Sequence, residues 1–356
     1  MKILITGATG FVGRHVVAAA LAQGHQVRAV VRPAGSAAGL GPAADDENVE
    51  SARVDLRSAK GLAEAVDGVD AVIHLAAAKA GDFYSQFAGT VVATENLLAA
   101  MAEVGVDRLV AVSTFSVYDY RNLPSNGLLD ESSPIDLEPD QRDEYARTKL
   151  LQEELYREWG SIEGHRMVIL RPGMIYGAGE LWHPLLGAEL GPLFIRVEHG
   201  GVMPMIYVEN AADALVAAAA RLADPESGID GETINLVDDQ LPTQQAYVDE
   251  VIRVMDPPRS VNVPWPVLRI GADALARANR LLVGGRAKFP GIVVPDKLHG
   301  RFKPLRYDNA KAKRLLDWQP RFTLQEAVAR SAADEAAADE AATGTAGPET
   351  TAPAGV

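Results

Sequence analysis

Short apolar runs and longer amphipathic stretches alternate through the first half of the chain. Lys2 to Thr6 is short, apolar and β-branched, which predicts a buried strand. Phe11 to Ala22 predicts a helix, closed by Gly24. Further strands are predicted at Gln26 to Val31, Val49 to Asp55, Asp70 to Leu75, Arg108 to Ser113 and 166–170. Helices are predicted at Ser58 to Val66, Gln86 to Glu103 and 144–159. Strand–helix alternation of this kind predicts an α/β fold with a doubly wound parallel sheet. Strands that are apolar throughout predict burial on both faces.

After Arg171-Pro172 the pattern becomes irregular. Pro184, Pro192, Pro204, Pro242, Pro257, Pro258, Pro264 and Pro266 cut it into short pieces, so a second, smaller domain is expected there. Residues 32–48 read as a surface loop. Residues 119–143 form a long acidic connection of the kind that is functional or mobile. Pro266 to Leu282 is helical, with Arg269, Asp273, Arg277 and Arg280 at helical spacing among apolar residues. It is either an interfacial membrane helix or a domain helix with one wet face. The tail, 331–356, has five acidic residues and no Lys or Arg. It has too little apolar surface to bury and is expected to be disordered.

Composition narrows the functional classes. The chain has 356 residues, 47% of them hydrophobic, enough for a sizeable core and about two domains at roughly 150 residues each. With 34 Lys+Arg against 48 Asp+Glu the net charge is −14. That argues against nucleic acid as a partner, which needs a basic face. The absence of cysteine excludes disulfides, thiolate catalysis and Cys-ligated metals. The seven His residues are scattered with no His-x-x-x-His pair, so no metal site is expected. Ile3-Leu4-Ile5 is too short for a signal sequence, and no run approaches the ~18 apolar residues of a membrane span. A soluble cytoplasmic protein is the expectation.

The first strand runs into Gly7-Ala8-Thr9-Gly10-Phe11-Val12-Gly13 and then a helix. Gly7 permits a tight turn, Gly10 lets backbone approach a pyrophosphate, and Gly13 lets helix and strand pack closely. The helix N-terminus supplies N–H groups and a positive dipole end. Strand 2 ends Val30-Val31-Arg32, without the carboxylate that binds a ribose 2′-hydroxyl in NAD-preferring sites. Arg32 suits a 2′-phosphate, which favours NADP while leaving NAD possible; its other reading is a solvated loop arginine. Asp55, followed by Leu56, either accepts from an adenine amino group or caps the helix near Ser58.

Tyr145 and Lys149 lie at i and i+4 on one helical face. An ammonium beside a phenol favours the phenolate and lowers its pKa toward working pH. A surface pair on a helix is the competing reading. Strand 5 ends in Ser113-Thr114-Phe115-Ser116, at the sheet edge where ligands bind in open α/β folds. Each of these hydroxyls is either a substrate contact or a turn residue bonding its own backbone.

Together these ordered motifs resemble the extended branch of the short-chain dehydrogenase/reductase superfamily, the NAD(P)-dependent epimerase/dehydratase family. The resemblance covers residues 1 to about 330. It includes His74-Leu75-Ala76-Ala77, Ser113-Thr114 with Val117-Tyr118, and Leu170-Arg171-Pro172-Gly173-Met174-Ile175-Tyr176-Gly177. It also includes Tyr207 to Ala214 and Ala312 to Pro320. It implies a Rossmann domain over 1–171, with 205–237 returning to it, and a substrate-binding domain over 172–204 and 238–330. Tyr145 is then the acid/base, Lys149 its partner and Thr114 the hydroxyl that orients substrate. Leu75, Ala76, Ala77 and Pro172 join Gly7, Thr9, Gly10, Phe11, Val12, Gly13, Arg32, Asp55, Leu56 and Lys149 around the cofactor. A homodimer through the helices at 86–103 and 145–159 is also implied.

The departures are informative. Thr90 stands where the family often has Asn. Phe115-Ser116 follow Thr114 where sugar-nucleotide dehydratases carry Asp-Glu, which argues against a dehydratase. Arg301 to Arg306 replace an Arg-x-Gly-Asp piece; either arginine can clamp a pyrophosphate or simply lie on the surface. The expected function is hydride transfer between nicotinamide and a ketone or secondary alcohol. The alternatives are a nucleotide-sugar epimerase that keeps its NAD and, in another class, a non-catalytic nucleotide-binding scaffold. The substrate pocket is expected from 82–90, 119–143 and 178–205, with Trp182, His183 and Phe194 as lining or packing residues.

Overall fold

The computed structural model describes residues 1–137, 142–182, 186–190, 192–283, 298 and 302–344. Its main sheet contains β1 (Lys2–Thr6), β2 (Gln26–Val31), β3 (Val49–Arg53), β4 (Ala71–His74), β5 (Arg108–Val112), β7 (Arg166–Pro172) and β12 (Thr233–Leu236). All pairings in it are parallel, in the order β12-β7-β5-β4-β1-β2-β3. The chain runs outward from β1 to β3, then crosses to β4 on the other side of β1. That reversal opens a crevice at the carboxyl ends of β1 and β4, where Thr6 pairs with His74.

Alternation along each strand explains why the sheet is apolar on both faces. Ile3 and Ile5 of β1 and Val110 and Val112 of β5 face one cluster, with α1 (Phe11–Ala22) and α6 (Val208–Ala223). Leu4, Leu109 and Ala111 face the other. There they meet α2 (Leu62–Val66), α4 (Ala93–Val104) and α5 (Glu144–Gly160).

Several boundaries differ from the sequence expectation. The helix expected from Ser58 starts only at Leu62, because Gly61 turns left-handed at φ +75° and Ser58 lies in a turn. The helix expected from Gln86 starts earlier, as α3 (Phe83–Phe87), where the Asp82 carboxylate accepts from Ser85 N. It passes through a π-helical turn, Ala88–Val92, before α4. Phe83–Val104 is long and apolar enough to cross a membrane, but Leu97, Leu98 and Met101 are buried against the sheet.

The described parts of the long acidic connection are pinned to the fold. Its β6 (Leu128–Leu129) pairs with a strand at Arg306–Tyr307. Arg142 binds the Asp136 carboxylate at 2.8 Å and the carbonyls of Ser116 and Tyr118. Beyond β7 lie β8 (Met174–Tyr176), β9 (Gly187–Leu190), β10 (Leu193–Glu198), β11 (Met205–Tyr207), α7 (Gln244–Val251), β13 (Ser260–Pro264) and α8 (Trp265–Val283). β10 lies between β9 and β13.

The expected disorder of the tail needs correction over 331–344, which continue the helix Leu324–Gly344. Ala327, Val328 and Ser331 are buried and anchor its first turns. The Ala- and Glu-rich sequence beyond them has high helix propensity. Residues 345–356 lie outside the described residues.

Candidate active site

The cradle at the end of β1 is shaped by backbone approach. Gly7 is left-handed at φ +67°. A Cβ on Gly13 would sit 2.1 Å from the Gly7 carbonyl, so only glycine fits. Gly10 N donates to Gly7 O at 3.0 Å and is the N-cap of α1, which no side chain caps. Its first N–H groups therefore face the crevice as an anion site. Thr9 lies under Gly39 of the 3-10 segment Ala37–Asp45. Phe11 and Val12 pack against the cluster that contains Met174, Tyr176 and Tyr207. Leu75 and Ala76 border the cradle, both backbone N–H groups donating to Thr6 Oγ1 at 3.1 Å. Ala77 follows, half-buried, and Pro172 is buried at the end of β7.

On the adenosine side, Arg32 is exposed, and its charge helps hold the Asp55 carboxyl below its ordinary range, after the larger effect of hydrogen bonds from Arg57. Asp55 is not the helix cap: it accepts from Arg57 N at 3.0 Å and pairs with the Arg57 guanidinium at 2.6 Å. The Leu56 carbonyl accepts from Asn96 Nδ2 at 2.9 Å.

Thr114 and Tyr145 meet at the carboxyl end of β5. The half-buried phenol lies beside the Thr114 side chain, whose hydroxyl favours its ionised form. Thr114 Oγ1 also accepts from Ser116 N at 3.2 Å, capping a short turn. Ser113 is committed elsewhere, its hydroxyl donating to Glu153 Oε1 at 2.5 Å.

Lys149 corrects one expectation. Its ammonium does not lower the Tyr145 phenol. It turns inward, donating to Val112 O at 2.6 Å and to Gln152 Oε1. Burial pushes Tyr145 up to about 12, against a smaller downward pull from the Thr114 side chain. Burial pulls Lys149 down to about 7 despite the nearby Glu153.

Behind Lys149 runs a buried network that the sequence motifs do not announce. Thr94 Oγ1 gives its single proton to Thr90 O at 2.6 Å. It must therefore accept from Gln152 Nε2 at 2.7 Å and from His74 Nε2 at 2.9 Å. Thr6 Oγ1 already accepts two backbone N–H groups, so its proton goes to His74 Nδ1 at 2.6 Å. These constraints assign His74 the neutral Nε2–H tautomer. Burial, helped by the charge of Lys149, holds its pKa down to about 3. The chain of bonds joins Lys149, through Gln152, Thr94, His74 and Thr6, to the backbone that borders the glycine cradle.

A second buried set lies one turn along α5. Glu153 accepts from Arg171 Nε at 2.8 Å and Nη2 at 2.7 Å, a bidentate pair. Gln152 and Glu153 could have been suspected from their place three and four residues after Lys149 on one helix face. Their partners are 58 and 18 residues away and carry no local signal.

Trp182 meets Phe194 edge-on at 5.6 Å; His183 and Arg301 lie outside the described residues. Arg306 donates to Asn126 O and pairs the strand ends, as a structural residue does.

The family model for the NAD dependent epimerase/dehydratase family matches residues 3–236. A 3β-hydroxysteroid dehydrogenase/Δ5→4-isomerase of Mycobacterium tuberculosis is 29% identical over 354 residues, covering 92% of this chain and 88% of that protein. A 2-alkyl-3-oxoalkanoate reductase of Stenotrophomonas maltophilia is 30% identical over 266 residues, covering 73% of this chain and 77% of that protein. Among solved structures, a UDP-glucose-4-epimerase from Stenotrophomonas with bound NAD shares the fold. It has a TM-score of 0.73 at 21% identity, over 96% of this chain and 99% of that one.

Proposed function

The chain belongs to the NAD-dependent epimerase/dehydratase family and is an NAD(P)-dependent oxidoreductase of it, and we propose that it acts as a reductase or dehydrogenase on a ketone or secondary alcohol. The observation that carries this reading is the Thr114–Tyr145 pair at the carboxyl end of β5, with Phe115-Ser116 in place of an acid/base pair for elimination. The two curated relatives, a steroid dehydrogenase and an oxoalkanoate reductase, support an apolar carbonyl or carbinol substrate.

The dinucleotide fits the residues present. Gly7, Thr9, Gly10, Phe11, Val12 and Gly13 hold its pyrophosphate, Arg32, Asp55 and Leu56 its adenosine end. Leu75, Ala76, Ala77, Lys149 and Pro172 face its nicotinamide half. When bound, it supplies or accepts hydride. Thr114 orients the substrate oxygen. Tyr145, protonated at neutral pH, hands its proton to that oxygen in reduction and recovers it in oxidation. Lys149 would hold the ribose of the nicotinamide half. The exposed Arg32 supports NADP as the favoured form, with NAD possible. The nucleotide body is 1–171 with 205–237, and the substrate body is 172–204 with 238–330. A cytoplasmic homodimer through the outer faces of α4 and α5 completes the reading.

The test begins with denatured protein and the mass of any released nucleotide. An empty site that binds NADPH more tightly than NADH supports the reductase. Stoichiometric bound NAD overturns it in favour of an epimerase. Tyr145→Phe is expected to lower ketone reduction by roughly 10²–10⁴-fold while cofactor binding is retained; unchanged turnover refutes the role of Tyr145.

A further inference from the structure

α8 exposes apolar side chains along one face. At about 100° per residue, Val267, Ile270, Ala274, Ala278, Leu281 and Leu282 fall in a stripe about 120° wide. Val267 is 62% exposed, Ile270 64%, Leu281 85% and Leu282 82%. The helix already has its partner inside the fold on another face, where Trp265 and Ala272 are buried with Val197 and Phe302. The stripe is thus additional to the packing surface. Four large exposed apolar side chains in one line mark a contact site on a soluble domain.

Charge says what the contact is. The chain carries −14 overall, yet α8 is net positive. Three arginines, Arg269, Arg277 and Arg280, are on α8 beside a single acid, Asp273. A second copy packed on the same stripe would gain nothing from these charges, because Arg269 and Arg280 lie about 140–160° from its centre. A bilayer with anionic headgroups neutralises them and takes the apolar stripe into its acyl boundary. With four charged residues, α8 is too polar to span a membrane. We propose that α8 is a docking surface for an anionic lipid bilayer and lies in the plane of its interface. The acidic remainder of the chain is repelled by such a surface, so the molecule docks with α8 down. This inference stands on α8 alone and does not depend on the catalytic reading.

The experiment is co-sedimentation of the full chain with vesicles of phosphatidylcholine, alone or mixed with phosphatidylglycerol. Binding at least about tenfold stronger to the mixed vesicles is expected, and it should weaken at about 1 M salt. The double variant Leu281→Ser with Leu282→Ser should lose about tenfold or more of that binding. Its melting temperature and nucleotide binding should stay unchanged, because both side chains are exposed. No binding to mixed vesicles, or equal binding by the variant, overturns the proposal. So does a dimer that the variant dissociates while vesicles leave the wild type in solution; the stripe then belongs to a second copy.

Discussion

Arg171 on β7 and Lys149 on α5 are two buried cations, and they are held in opposite ways. Arg171 meets the Glu153 carboxylate bidentately. Burial alone would pull its pKa down, but hydrogen bonds and the charge of Glu153 outweigh that and raise it. Glu153 shows the converse: burial raises it, and Arg171 brings it below its ordinary range. Among the described residues, Lys149 meets a carbonyl and an amide oxygen as direct partners. Neutral acceptors do not offset the loss of water, so its pKa falls to about 7. The comparison shows that the partner, not burial itself, decides whether a buried cation is a structural fixture or a group poised to change charge.

The largest expected effect tests the structural half. Arg171→Met leaves Glu153 buried, with Ser113 and the half-exposed Arg157 as remaining partners. Urea unfolding should show a loss of about 3–5 kcal/mol; an unchanged midpoint would break the comparison. Lys149→Met should do the reverse: turnover falls by roughly 100-fold or more, while stability at pH 6 is kept or raised.

The pH dependence of that pair of proteins follows from the shift. Lys149 has a folded pKa of about 7 against an ordinary 10.5. Between these values the unfolded chain binds the extra proton, so this residue's contribution to stability rises with pH across the window. Below about pH 7 its unfavourable burial is fully present. Melting temperatures at pH 6, 8 and 10 should show wild type gaining on Lys149→Met as pH rises; a parallel pair of curves contradicts the assignment.

A smaller effect sharpens the comparison by converting one environment toward the other. Gln152→Glu gives Lys149 a carboxylate, so the limb of the pH–rate profile near neutrality should move up by about one unit. A profile that stays in place would mean that Gln152 does not set the lysine. The smallest expected effect lies outside the buried core. Arg32→Ala should reduce the preference for NADPH over NADH by about tenfold, read by titration of each cofactor.

Much of this was legible locally. The seven glycine-cradle residues, the Tyr145–Lys149 spacing and Thr114 after β5 are contiguous or nearly so, and their geometry follows from strand–turn–helix connections. The boundaries that moved did so through local chemistry. Asp82 capped α3 earlier than the apolar periodicity indicated, and Gly61 delayed α2. The low apolar content of the tail predicts disorder, yet buried first turns anchor a helix that continues through residue 344.

The pattern of apolar positions by itself determined that β1 and β5 are buried on both faces, that the sheet is parallel, and that a glycine-lined helix start follows β1. Those are consequences of periodicity and backbone sterics, which act over a few residues. Only the tertiary structure decided that Lys149 turns to Gln152 instead of Tyr145, that Glu153 pairs with Arg171, and that α8 leaves an apolar stripe uncovered. Each depends on which distant groups burial brings together, and burial fixes both the partners and the charge a side chain can carry.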